Sequence, residues 1–254
     1  MSIILNNIKL NNCASVVKEL IPAGSVVGSH ALFDGKIEFS LANDNRFVNA
    51  HTSSKQVFIF WKCMILDPKR VYNIVASDTF KFDNNEGSHK SLQELWHNYT
   101  NSPFLLSSLF FMLNRTSDTG LPSFGKLDLS KLNPVVIQKL KTFQMPDNFH
   151  ISYFEKEFID LIKEDKSDYL FVPAGDFDYG LFEHGKSIAV EETHIKHREL
   201  LKIFNEKQKK IVASYNFSEK ALNAYSNHNT ILVDKYGRET AHKERAEEIV
   251  IANF

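Results

Sequence analysis

The chain predicts an α/β fold with a doubly wound, mostly parallel sheet and one helical insertion. Short apolar runs of strand length alternate with amphipathic runs of helix length over residues 16–65, and again over residues 148–253. Between them, residues 66–145 show no strand alternation. The 254 residues can bury a substantial core, either as one domain with an insertion or as two domains.

In order, "VVKEL" (16–20) reads as a short amphipathic helix ended by Pro22-Ala23-Gly24, and "SVVGS" (25–29) as a small buried strand. "IEFSLA" (37–42) and "RFVNA" (46–50) continue the alternation, and "KQVFIFWKCMI" (55–65) has the apolar density of a buried helix. In the middle part, "SPFLLSSLFFMLNR" (102–115) is a helix begun at Ser102 with Pro103 at its first position. "NFHIS" (148–152) is a strand, "FEKEFIDLIKED" (154–165) an amphipathic helix and "DYLFV" (168–172) the next strand. A helix over 194–208, a strand over 210–215, a helix over 219–225 and strands over 230–234 and 246–253 complete the series. The division expected is an α/β core of 1–65 and 146–254 with a helical insertion at 66–145. Ligands in such sheets sit outside the carboxyl ends of the strands, which draws attention to the loops after Val27, Val48 and Val172.

Composition excludes several classes. No run approaches the 18 or so apolar residues of a membrane span, and a net charge of -1 disfavours a protein that wraps nucleic acid electrostatically. The N-terminus lacks the features of a signal peptide, and two cysteines, Cys13 and Cys63, are expected as free thiols in a reducing cytoplasmic setting. His194-x-x-His197 with Glu191 and Glu192 lacks the full spacing of a zinc helix motif and reads as a solvated helix face, so no metal is expected. Phe104, Phe110 and Phe111 are core residues or a stripe facing a partner.

"LFFMLNRTSDTGLPSFGKLD" (109–128) is the most individual stretch, and it resembles the "LNR…GL…FG" segment of Dam-type (D12 class) DNA adenine N6-methyltransferases. Placed on that anchor, the whole chain is similar to the family. Pro22-Ala23-Gly24 falls on its first turn, 168–175 on its catalytic strand, "IVASYNFS" on a later strand and "ERAEEIVIANF" on its closing segment. The resemblance implies a Rossmann-like methyltransferase fold, S-adenosylmethionine as cofactor and adenine in DNA as substrate.

Carried over position by position, the family's working residues are mostly replaced. Its cofactor loop, an acid followed by P-F-x-G-x-G, falls on Ser29-His30-Ala31-Leu32-Phe33-Asp34-Gly35, where one glycine, Gly35, remains and Phe33 stands where the cofactor would lie. Its Asp-x-Asn falls on Ala50-His51-Thr52, and its Gly-Gly-Lys on Ile8-Lys9-Leu10. The catalytic (Asp)-Pro-Pro-Tyr, which in the family holds and stacks the flipped adenine, falls on Val172-Pro173-Ala174-Gly175. The DNA-reading hairpin is reduced to Gly120-Leu121-Pro122-Ser123-Phe124-Gly125, and Arg115 is the remaining candidate for nucleic-acid contact.

The expectation is a pseudoenzyme with no cofactor, acting as a structural or protein-binding component through a protein partner or as a homo-oligomer. The Asn-, Lys- and Phe-rich composition and the family's frequency in bacteriophages point to a phage protein, as part of a particle or in the host cytoplasm. Two alternatives stay open. One is an active S-adenosylmethionine-dependent adenine methyltransferase using Asp176 and Tyr179, which repeat the Asp-x-x-Tyr spacing four residues later. The other is a silent subunit that binds DNA for an active partner.

Overall fold

β-Branched and aromatic runs bounded by Gly, Pro and Asn become the strands of a single sheet: β1 (Val26–His30), β2 (Phe47–Thr52), β3 (Phe149–Tyr153), β4 (Tyr169–Gly175), β5 (Ile211–Asn216), β6 (Asn229–Asp234) and β7 (Ala246–Ala252). The computed structural model describes residues 2–6, 12–77, 79–99, 101–155, 158–177 and 195–254. The sheet order is β3-β2-β1-β4-β5-β7-β6. The first five strands are parallel, and β7 runs antiparallel to both β5 and β6. With its flanking helices this is a Rossmann-like α/β fold, in which the order 3-2-1-4-5 is followed by a reversed strand inserted before the last.

The described residues divide into two compact units: 12–53, 146–177 and 195–254 form the sheet unit, and 2–6 with 54–145 form a helical unit. The sheet unit carries α1 (Ala14–Leu20), α2 (Lys36–Ala42), the helix over Phe158–Glu164, the helix over His197–Glu206 and the helix over Glu219–Ala224. Its core on one side gathers Leu170, Val172, Ile211, Ala213, Tyr215, Ile249 and Ile251 from the central strands against Ile159, Ile162, Leu200, Ile203 and Phe204 from the helices. These central strands are apolar on consecutive residues, as parallel strands covered on both faces must be.

The helical unit holds α3 (Lys55–Leu66), α4 (Pro68–Ala76), α5 (Glu86–Leu95), α6 (Pro103–Thr116) and α7 (Pro134–Thr142). Four of these starts are written in local chemistry. Ser54, Asp67, Asn85 and Asn133 each accept a backbone N–H of the first turn, and Pro68 and Pro134 follow the Asp67 and Asn133 caps. The unit begins at 54 rather than at the expected 66, because α3 packs on α6, with Phe60 5.6 Å from Phe110, and Trp61 packs on Phe143. From Leu106 to Thr116, α6 is buried on every side, which makes it the axis of this unit.

The numbering of the remaining helices then runs α8 (Phe158–Glu164), α9 (His197–Glu206) and α10 (Glu219–Ala224). The helix expected from 154 is shorter at its start, since Phe154 donates its N–H to the carbonyl of Thr52 and so prolongs the β2–β3 ladder.

Candidate functional site

At the carboxyl end of β1 the chain packs its own side chains into the loop. Ser29 is fully buried and its hydroxyl donates to Oε1 of Glu38 at 2.9 Å, joining β1 to α2. Ala31 takes a left-handed conformation (φ 75°), a turn that a glycine adopts without steric cost. Leu32 donates its N–H to the carbonyl of His51, and Leu32 and Phe33 are 2% and 9% exposed. Gly35 (φ 67°) begins α2, and the ring of Phe39 lies so close that a Cβ at Gly35 would stand 2.5 Å from it. Ala50 is buried in β2 between Ser29 of β1 and Ile151 of β3.

The end of β4 is equally closed. Val172, Pro173, Ala174 and Gly175 are all buried, and the pairing with β5 shifts between Pro173 and Gly175. Pro173 lies beyond Phe171, the last β4 residue paired with β1, so its missing N–H interrupts no ladder there. Asp176 is exposed and accepts a hydrogen bond from Nδ2 of Asn216 at 2.5 Å. Tyr179, the other half of the alternative pair, lies outside the described residues, as do Ile8-Lys9-Leu10, Glu191, Glu192 and His194.

Two sequence expectations, for Arg115 and His197, need correction, and for Phe110 and Phe111 the core reading holds. Arg115 is 1% exposed: its Nε donates to the carbonyl of Ile3 at 2.8 Å and its Nη2 to that of Ser2, so it clamps the N-terminal residues and presents no charge to a nucleic acid. Phe110 and Phe111 are core residues of the helical unit, because α6 has no solvent face over that stretch, while Phe104 stacks under the guanidinium of Arg70 at 4.3 Å. His197 is no surface histidine. Its Nδ1 lies 3.2 Å from the hydroxyl of Tyr215, which in turn lies 3.1 Å from that of Tyr225, inside an aromatic cluster completed by Phe177.

The constellation that sequence reasoning missed sits on the α8 side of β1 and β2. Parallel register places Gly28 beside Asn49, and His30 beside His51. On the neighbouring strand, His51 stands beside Ser152. From the end of α8, 135 residues away from His30 in sequence, Asp165 folds its carboxylate onto this face. Nε2 of His30 donates to Oδ2 of Asp165 at 2.9 Å, and Nε2 of His51 lies 3.6 Å from the same oxygen, too far for a hydrogen bond. Oδ1 accepts the backbone N–H of Ser167 at 2.7 Å, and the ammonium of Lys209 binds the carbonyl of Asp165. The two imidazoles are 4.8 Å apart, centre to centre. Phe158 and Phe154 place ring edges against them.

Gly28 makes this arrangement possible. A Cβ there would stand 2.1 Å from Oδ2 of Asp165, so the bare strand backbone is the floor on which the carboxylate rests. Burial pushes the His30 imidazole towards its neutral form, against the pull of Asp165. Burial alone would raise the Asp165 carboxyl, but the hydrogen bonds from His30 and Ser167, with the His51 ring close by, outweigh it and hold the group ionised, well below the usual carboxylate range.

His51 and Asp165 open onto a cleft of ≈ 360 Å³ lined also by Val26, Asn49, Ser152, Lys166 and Ser167. Nδ1 of His30 and of His51 are both buried without a hydrogen-bond partner. The signals available in sequence were the glycine inside an apolar strand and two histidines at consecutive strand ends. The third member, on the far side of the helical unit in the chain, gave no signal. Among the described residues no helix is long and apolar enough to cross a membrane. No protein-family model matches the chain, and no curated protein sequence matches it.

Proposed function

We propose that this protein is a catalytically silent relative of the Dam-type adenine methyltransferases, acting through its folded body as a structural or protein-binding component of a phage assembly. The mostly parallel, helix-flanked Rossmann-like sheet supports the methyltransferase part of the reading only as far as fold class, the kind of sheet that the resemblance implies. The observation that carries the silent part is the closed loop after β1. Ser29 is committed to Glu38, and Leu32 and Phe33 are buried where a cofactor requires glycine backbone and open space. At the end of β4, buried Val172 and Gly175 offer neither the acceptor nor the ring that holding a flipped adenine demands. Loss of even one such preorganised contact typically costs roughly 10²–10³ in rate.

The test is calorimetric titration of the purified chain with S-adenosylmethionine and with S-adenosylhomocysteine. No heat at millimolar ligand is expected, and partner capture then becomes the route to function. Micromolar binding would overturn the reading. It would favour the active alternative, for which the exposed Asp176 at the carboxyl edge of β4 speaks, and loss of methyl transfer in Asp176→Ala would establish it.

A further inference from the structure

We propose that His30, His51 and Asp165 form a binding site for a divalent transition-metal ion of the zinc class, with its open coordination position facing the cleft beside β2 and β3. The proposal is independent of the methyltransferase reading, because it concerns the opposite side chains of the same strands: Ser29 and Ala50 face away from this cluster.

The geometry comes first. One nitrogen of each ring and one carboxylate oxygen lie within 4.8 Å of one another. Metal–ligand bonds of about 2.0–2.2 Å in a tetrahedral site hold their ligand atoms about 3.3–3.5 Å apart. The two separations at Oδ2 of Asp165, 2.9 Å and 3.6 Å, straddle that value, while the widest spacing of the three ligand atoms, up to 4.8 Å, requires the two rings to close by about 1 Å around an ion. Two imidazoles and one carboxylate suit zinc, cobalt(II), iron(II) or nickel(II), whereas calcium and magnesium favour oxygen-only shells.

Burial and access agree with this. His30 is 1% exposed and fixed in β1, whereas His51 and Asp165 border the cleft, so three protein ligands would be fixed and the fourth position reached by water or a small ligand. Asn49, Ser152, Ser167 and Lys166 around that opening suit a small polar or anionic ligand. The Nδ1 atoms, the ring nitrogens turned away from Asp165, are unpartnered, and this sets the strength. Ligand imidazoles usually donate the other ring N–H to an acceptor that raises their basicity, and lack of that partner weakens binding by about 10–100-fold. The site is therefore an exchangeable one, of micromolar rather than structural affinity.

The full chain, stripped with chelator and desalted, is titrated with Zn²⁺ by calorimetry and with Co²⁺ by visible absorption. One ion per chain is expected, with the intense absorption of tetrahedral cobalt and a loss of affinity of about 100-fold or more in both His51→Ala and Asp165→Asn. His242→Ala, which removes the exposed histidine 3.1 Å from Glu244, leaves binding unchanged. Paramagnetic shifts of two imidazoles in the wild-type NMR spectrum on adding Co²⁺ make the same test without a variant, should either substitution unfold the chain. Absence of saturable binding at millimolar ion overturns the proposal, as does affinity unchanged by both site substitutions, or a cobalt spectrum that leaves the imidazoles unshifted.

Discussion

Gly28→Ala is the smallest change that tests whether β1 is shaped around Asp165. The new methyl carbon would stand 2.1 Å from Oδ2 and 2.8 Å from Cγ, against ordinary contacts that begin near 3.4 Å, so the carboxylate must retreat by more than about 1 Å. It has little freedom to do so. Oδ1 is held by the N–H of Ser167 and the carbonyl by Lys209, and a retreat of that size takes the 2.9 Å bond from His30 beyond hydrogen-bonding distance. Overpacking costs about 1–3 kcal/mol, and loss of a hydrogen bond to a charged group about 1.5–3 kcal/mol. Replacing glycine inside a strand returns about 0.5–1 kcal/mol through chain entropy.

The net expectation is a destabilisation of about 3 kcal/mol, or a fall in Tm of about 6–12 °C for a chain of this size. Urea unfolding followed by far-ultraviolet circular dichroism measures it in the wild type, in Gly28→Ala, in Asp165→Ala and in the double variant. In the Asp165→Ala background the obstruction is gone, and Gly28→Ala should be neutral or slightly stabilising, giving a coupling energy above about 2 kcal/mol. A Gly28→Ala variant within about 0.5 kcal/mol of the wild type would refute the reasoning. So would an equal cost in the two backgrounds.

Two further predictions concern the helical unit, which contains both tryptophans, Trp61 and Trp96, so that fluorescence reports on it selectively. His89 is fully buried with both ring nitrogens unpartnered, and burial lowers its pKa against the attraction of Glu86 and Asp118. The unfolded ring takes a proton near pH 6.5 while the folded one resists, so stability is full above that pH and lost on acidification, by up to about 1.4 kcal/mol per pH unit. The fluorescence-detected urea midpoint should fall between pH 7.5 and pH 5 and fall less in His89→Leu; identical pH dependence in the two would contradict this. Asn114→Ala removes the side chain that pairs with both the N–H and the carbonyl of Leu5 and with the carbonyl of Gly120. Stranding buried backbone groups costs about 1–3 kcal/mol, so a loss of about 3 kcal/mol is expected, and a change below about 1 kcal/mol would mean that residues 2–6 are not held by α6.

The strands, their parallel arrangement and most helices were legible because each carries its own local signature. Apolar runs of strand length, amphipathic runs of helix length and Pro103 at the start of α6 all act within a few residues of chain. What failed to show locally was decided by long-range packing. The amphipathic run around His197 was readable as a helix, but its histidine was assigned to solvent because nothing nearby in sequence announces Tyr215. Arg115 was assigned to a ligand for the same reason: a lone basic residue at a helix end gives no hint that two carbonyls from the chain's beginning await it. The polar cluster on β1 and β2 was the hardest case, since its carboxylate arrives from a helix more than a hundred residues later.

Asn114 and Arg115 show that a sequence resemblance and a chemistry are separate questions. Both belong to the "LNR" element that carries the resemblance, and here both are buried at the end of α6, each bonded to backbone of the N-terminal residues. Their role in this chain is therefore architectural, and a fold that keeps the helical unit has reason to keep them whether or not a cofactor is ever bound. Ser29, Phe33, Ala50 and Val172, where the resemblance expects ligand-binding residues, are each enclosed by their own neighbours. A motif whose side chains bond to the protein itself says what the protein is built like. Only side chains directed at open space, as His51 and Asp165 are at the cleft, bear on what it binds now.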